Sequence, residues 1–321
     1  MRLLVVGGSD AGIQAGLRAL ERDRAAEVTV LIADRYPNYS ICGIPYHVAG
    51  EVADWHDLAH RSQADLAAVG LDMRLEHRAV RIDPAAKQVD CLDAAGGTRR
   101  FGYDQLVVAT GALPARPPIG GLDRLGPADG VHILHTIGDT LALTDSLTRR
   151  QARQVVIVGA GYIGMEMAEA LRTRGLEVTV LERLGQLLPA TIDPELAAEL
   201  KATLDRHDVQ VHNGTTVQAI SRGDDGGAGL VVHGQGGARW RAEVVLVVTG
   251  VRPDSHLAAQ AGLRLGVAGA VAVDRQMRTS APGVLADLSY TPPLGSPWDA
   301  LQHAAHAWLA HAAGQPATRP I

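Results

Sequence analysis

The chain has 321 residues, 46% of them hydrophobic and 20% charged, the balance of a globular protein of one or two domains. A net charge of −5 argues against a nucleic-acid-binding surface. Its two cysteines, Cys42 and Cys91, lack the spacing of a disulfide scaffold, and apolar runs such as Val244–Val248 are too short to cross a bilayer.

The N-terminus runs directly into a motif, so no signal peptide is expected and the cytoplasm is the expected compartment. RLLVVG (2–7) reads as a buried strand, GGSDAG (7–12) as a tight turn, and Ile13–Arg24 as a helix. The strand EVTVLI (27–32) completes a βαβ unit. Gly7, Ser9 and Gly12 are the candidate pyrophosphate-turn residues, because glycines admit the backbone to a phosphate at a helix N-terminus. Ser9 stands where this fingerprint has its middle glycine. Asp34, 22 residues after Gly12, is the candidate for a ribose hydroxyl, although it lies past the end of the strand.

NYSICGIPY (38–46) places Cys42 in a turn between tyrosines, glycine and proline, which is poor core material. Cys91, in the strand-like VDCLD, reads as structural. WHDLAH (55–60) sets His56 and His60 at i and i+4, a zinc-capable spacing on a helix. It has no third ligand, so no metal is expected. YDQLVVATGALP (103–114) reads as a buried strand ending at Thr110 and Gly111, and AEVVLVVTGVRPD (242–254) echoes it with Thr249 and Gly250.

A second, complete GxGxxG follows the strand QVVIVG (154–159): GAGYIG, with Gly159, Gly161, Tyr162, Ile163 and Gly164 at the turn. The helix runs to Arg172, and the strand EVTVL (177–181) ends in Glu182, 21 residues after Gly161. A carboxylate there favours a free ribose 2′-hydroxyl and so NADH, while Arg183 leaves NADPH open. Two such units imply two dinucleotides at the ends of an electron relay. SRGDDGGAGL (221–230) reads as a hairpin loop, and neither a P-loop nor a GxSxG serine motif is present.

GGSDAG, SICGIPY, VVATG, VIVGAGYIGMEMAE and VVTGVRPD occur in the order of the flavin-dependent pyridine nucleotide–disulfide oxidoreductases, which the chain resembles over residues 1–286. SICGIPY most resembles the single-cysteine stretch of coenzyme A-disulfide reductases and related NADH oxidases. The implied fold is α/β, with two Rossmann-like domains containing parallel sheets. Residues 1–115 and 251–286 would bind FAD, 116–250 would be the inserted NAD(P)H domain, and 287–321 a short helical remnant. The resemblance implies FAD in the first unit, NAD(P)H in the second, and a redox-active Cys42 beside the flavin. Tyr162 and Glu166 would lie where nicotinamide approaches. Arg18 and Arg22 occupy the place that contacts coenzyme A phosphates, and a solvated helix face is the competing reading for both.

The resemblance breaks near the end. TSAPGVLA (279–286) matches the flavin segment, but DLSYTPPLGSPWDALQ resembles the far end of the family's interface domain, with the stretch between absent. The family's Gly-Asp pair is missing, and Asp287 is its nearest substitute. Weak or absent FAD binding and a compromised homodimer follow as expectations. Tyr290 matches a tyrosine that assists the cysteine. The tail helix (Trp298–Ala312) carries Trp298, Leu301, Ala305, Trp308 and Leu309 on one apolar stripe, and His303, His306 and His311 beside it.

The expected activity is NAD(P)H-driven reduction of a small disulfide, such as coenzyme A disulfide, through FAD and Cys42. The alternatives are an NADH oxidase or peroxidase, a persulfide reductase, and an inactive nucleotide-binding remnant.

Overall fold

The computed structural model describes residues 1–189, 191–223 and 229–286. Tyr290, Asp287, the tail helix with its histidines and the middle of the 221–230 loop lie outside the described residues. The chain divides into two units: 1–39, 59–112 and 253 onward form the first, and 40–58 with 113–252 the second.

The first unit centres on a parallel five-stranded sheet in the order Val284–Ala286, Gln105–Val108, Arg2–Val6, Glu27–Leu31, Leu71–Arg74. These strands read as continuous apolar runs because both faces are covered. Val5, Val30, Leu106 and Val108 are fully buried. The helix Asp10–Arg22 lies on one face, where Gly16 closes against Leu71 and Val28. It begins three residues earlier than the sequence suggests, because Ser9 already takes the extended N-cap conformation. An antiparallel sheet, Arg78–Asp83, Gln88–Leu92 and Thr98–Gly102, buries Cys91 completely.

The second unit repeats the plan, with a parallel sheet in the order Val209–His212, Glu177–Leu181, Gln154–Val158, Val244–Val247, Val131–Ile133. The helix Tyr162–Thr173 follows its central strand, and the antiparallel strands Val217–Arg222, Leu230–Gly234 and Arg239–Ala242 pack beside it. The segment 40–58 belongs to this unit because its helix, Ile44–Ala49, packs on Tyr162–Thr173. Among the described residues, no helix is long and apolar enough to cross a membrane.

Candidate functional site

The second unit's turn shows why its three glycines are there. Gly159 has φ +112°, and a Cβ on it would stand 2.5 Å from the Val248 carbonyl oxygen. A Cβ on Gly164 would stand 2.0 Å from the Gly159 carbonyl oxygen, so helix and strand touch there. Gly161 is different: it is exposed, and none of the described residues lies within 4 Å of where its Cβ would be. That open side of the turn, above the N-terminus of Tyr162–Thr173, is where a pyrophosphate can reach the backbone. Tyr162 and Ile163 form the first turn of that helix, both half-buried.

Glu182 follows directly after the strand Glu177–Leu181. Its side chain is buried, yet both carboxylate oxygens are held: Oε2 accepts the Ala160 N–H and Oε1 the Leu184 N–H, each at 2.8 Å. One lone pair on each oxygen remains for a ribose diol, whereas a 2′-phosphate would meet a fixed negative charge. The residues present therefore fit a nicotinamide dinucleotide with a free 2′-hydroxyl. Arg183 is exposed.

The first unit has the same frame. Gly7 has φ +122°, and a Cβ on it would stand 2.0 Å from the Ala109 carbonyl oxygen; a Cβ on Gly12 would meet the Gly7 carbonyl oxygen, also at 2.0 Å. Ser9 is as extended as Gly161 (φ −93° against −77°), so this position has no need of glycine. The turn and helix N-terminus thus fit a pyrophosphate. The ribose end does not match: the residue directly after the strand is the buried Ile32, not an acid. Asp34 lies two residues further on, half-buried. Its Oδ1 accepts the Tyr36 N–H at 2.9 Å, and burial pushes its carboxyl pKa up. Sequence reasoning missed Ile32, although the repeated EVTVL of residues 27–31 and 177–181 could have exposed it.

Thr110 Oγ1 donates to the Asp254 carbonyl, and Gly111, at φ +71°, accepts the Asp254 N–H at 2.9 Å. Gly250, at φ +112°, accepts the Ala115 N–H at 2.8 Å. These bonds tie residues 110–115 to residues 250–254.

Cys42 sits half-buried in the single 3-10 turn Ile41–Gly43, just before Ile44–Ala49, whose first turn holds Pro45. Neither cysteine is in a disulfide. Arg174, capping the nucleotide helix, donates from Nη1 to the Val48 carbonyl at 3.0 Å. Glu166, one turn beyond Tyr162, is half-buried, and burial pushes its pKa up, with Glu169 adding to the rise.

Arg18 and Arg22 share an exposed face of Asp10–Arg22, and Arg18 pairs with Glu21. The histidine pair does not keep its helical spacing: Trp55–Leu58 is a short 3-10 turn ending before His60. His56 Nδ1 lies 2.6 Å from Asp54, and no metal-holding cluster occurs among the described residues.

Residues 1–289 match the family described as pyridine nucleotide-disulphide oxidoreductase. An NADH oxidase of Methanocaldococcus jannaschii is 31% identical over 89% of this chain and 62% of its own length. An NAD(P)H coenzyme A polysulfide/persulfide reductase of Pyrococcus horikoshii is 30% identical over 89% of this chain and 61% of its own. Among solved structures, an NAD-dependent persulfide reductase from A. fulgidus gives a TM-score of 0.83 at 35% identity, covering 89% of this chain and 52% of that one. The chain thus spans about 62% of the length of such curated relatives.

Proposed function

The chain belongs to the pyridine nucleotide-disulphide oxidoreductase family, whose cofactors are FAD and NAD(P)H, and from that premise we propose that it uses NADH to reduce a small disulfide or persulfide at Cys42. The relatives' own activities belong to longer chains, and their names supply the substrate class: coenzyme A-linked disulfide or persulfide sulfur.

Each residue has a task in this reading. Gly161 and the N-terminus of Tyr162–Thr173 receive the NADH pyrophosphate, and Glu182 holds the adenosine ribose. Tyr162 and Glu166 border the nicotinamide; the half-buried Glu166 carboxyl, its pKa raised, can hold a proton there. FAD, when bound, supplies the two-electron relay between nicotinamide and sulfur. Gly7, Ser9 and Gly12 would receive its pyrophosphate, and Thr110, Gly111 and Gly250 are the further cofactor-binding candidates at the ends of their strands. The Cys42 thiolate attacks a disulfide RSSR, forming Cys42–S–SR and releasing RS⁻. Two electrons from NADH and two protons then return Cys42–SH and a second RSH. Arg18 and Arg22 offer forked donors to substrate phosphates, once Arg18 leaves Glu21. Tyr290 assists the cysteine. Thiol chemistry of this kind suits the reducing cytoplasm.

One observation carries the reading: the segment bearing Cys42 is bound to the very helix that starts at the nucleotide turn, through Arg174 and Val48. The test is a visible spectrum of protein purified with FAD, followed by anaerobic NADH. Flavin bands that bleach, then recover on adding coenzyme A disulfide or polysulfide, are expected. Protein that stays colourless in excess FAD sinks the reading and leaves an inactive nucleotide-binding remnant.

A second acceptor has support in the 31% identity to an NADH oxidase. There Cys42 would cycle through sulfenic acid, formed by peroxide and reduced by two electrons with release of water. Recovery of the bleached bands by oxygen or peroxide alone selects that reading.

A further inference from the structure

Both parallel sheets are built on one pentapeptide. EVTVL forms Glu27–Leu31 and Glu177–Leu181, and each pairs with the central strand in the same register, Leu31 opposite Val6 and Leu181 opposite Val158. The Leu31 carbonyl accepts the Gly7 N–H at 2.9 Å, and the Leu181 carbonyl accepts the Gly159 N–H at 2.9 Å.

The next residue keeps the match. Ile32 donates to the Arg74 carbonyl and accepts from the His77 N–H; Glu182 donates to the His212 carbonyl and accepts from the Thr215 N–H. In each unit the donor comes three residues after the acceptor. Ile32 and Glu182 are therefore one position in two copies of the same frame.

Their side chains also go to the same place. Glu182 reaches the turn and takes the Ala160 N–H. Ile32 reaches the matching turn, where a Cβ on Gly8, the counterpart of Ala160, would stand 2.3 Å from its Cδ1 and 2.4 Å from its Cγ1. The apolar chain has taken the carboxylate's volume, and Gly8 makes room for it. Asp34 follows two residues later in a bend, and its Oδ1 already accepts the Tyr36 N–H.

We propose that Ile32 makes the first unit blind to the ribose of its dinucleotide, so that FAD is gripped there by pyrophosphate and ring contacts while the adenosine 2′-hydroxyl adds nothing. The proposal rests on the reading that this unit takes FAD. A hydroxyl against an apolar side chain gives up water and gains no acceptor. The same hydroxyl on a carboxylate gains a charge-assisted bond worth on the order of tenfold or more in affinity.

The full chain, stripped of flavin, is titrated with FAD and with its 2′-deoxyadenosine analogue, following flavin fluorescence, which is insensitive to the nicotinamide site. The wild type is expected to bind both within about threefold, and Ile32→Glu to prefer FAD by about tenfold or more. A wild type that prefers FAD by about tenfold overturns the proposal; loss of that preference in Asp34→Asn would assign the ribose to Asp34. If Ile32→Glu fails to fold, the wild-type ratio alone decides. No flavin on the wild type but binding by Ile32→Glu supports the proposal, and binding by neither overturns it. Flavin that binds without bleaching under NADH defeats the functional reading and leaves this one to be judged on its own ratio.

Discussion

Arg174 Nη1 and the Val48 carbonyl, 126 residues apart in sequence, meet at 3.0 Å and join the C-terminus of the nucleotide helix to the helix that follows Cys42. The bond fixes the cysteine-bearing segment to a rigid element rather than leaving it a surface loop. Arg174→Ala is expected to lower the stability of the folded state by about 1 kcal/mol. It should slow disulfide reduction while leaving the NADH dissociation constant unchanged, and Arg174→Lys should restore part of the rate. Equal losses in binding and turnover would show that the bond serves the whole unit instead.

On the proposed reading, nicotinamide choice turns on Glu182. Removing its carboxylate in Glu182→Ala deprives the ribose of two acceptors and leaves the Ala160 and Leu184 N–H groups without theirs. NADH affinity should fall by about 10- to 100-fold with little change for NADPH. Isothermal titration with both nucleotides measures the ratio, and a parallel fall for both would remove Glu182 from the specificity argument.

On the proposed reading, Cys42→Ser separates the two half-reactions. Anaerobic bleaching of flavin by NADH should survive, whereas turnover with coenzyme A disulfide should drop by on the order of 10³-fold. Cys91, fully buried with its thiol pKa raised by burial, is the internal control: Cys91→Ala should leave turnover unchanged. A C42S protein that still reduces the disulfide would move the chemistry off the cysteine.

His132 gives the second unit an acid limit. It is 2% exposed, its Nε2 has no hydrogen-bond partner among the described residues, and burial, aided by Arg150, lowers its pKa from 6.5 to about 4. Between those values the unfolded chain binds the proton and the folded chain does not, so stability falls as pH drops from about 6.5 to 4, by about 3 kcal/mol at most. Above pH 6.5 the group contributes no pH dependence. Urea midpoints across this range should slope for the wild type and flatten for His132→Leu; an unchanged slope in the variant would place the sensitivity elsewhere.

What the sequence discloses is what local pattern controls. The two strand–turn–helix units, the paired EVTVL strands and Glu182 are legible because apolar runs, glycine spacing and one acid lie close together in the chain. The standing of His56 and His60 is not, because helical spacing presupposes a helix and Trp55–Leu58 makes only a 3-10 turn. Nor is the lodging of residues 40–58 in the second unit, which depends on packing against a helix more than a hundred residues away. The missing carboxylate at Ile32 is hidden by Asp34, an acid at nearly the right spacing but past the end of its strand. Only the hydrogen-bond register separates the two.

The repeated pentapeptide also bears on how the chain assembles. During folding, Glu27–Leu31 and Glu177–Leu181 offer identical ladders to either central strand, so backbone pairing alone does not tell the right partner from the wrong one. The sixth residue does. Ile32 misplaced beside Ala160 would leave that N–H without its acceptor. An Ile32→Glu chain, with the two strands made alike through this position, should refold with an added slow phase absent from the wild type. One position would then proofread the pairing of two halves that otherwise share an address.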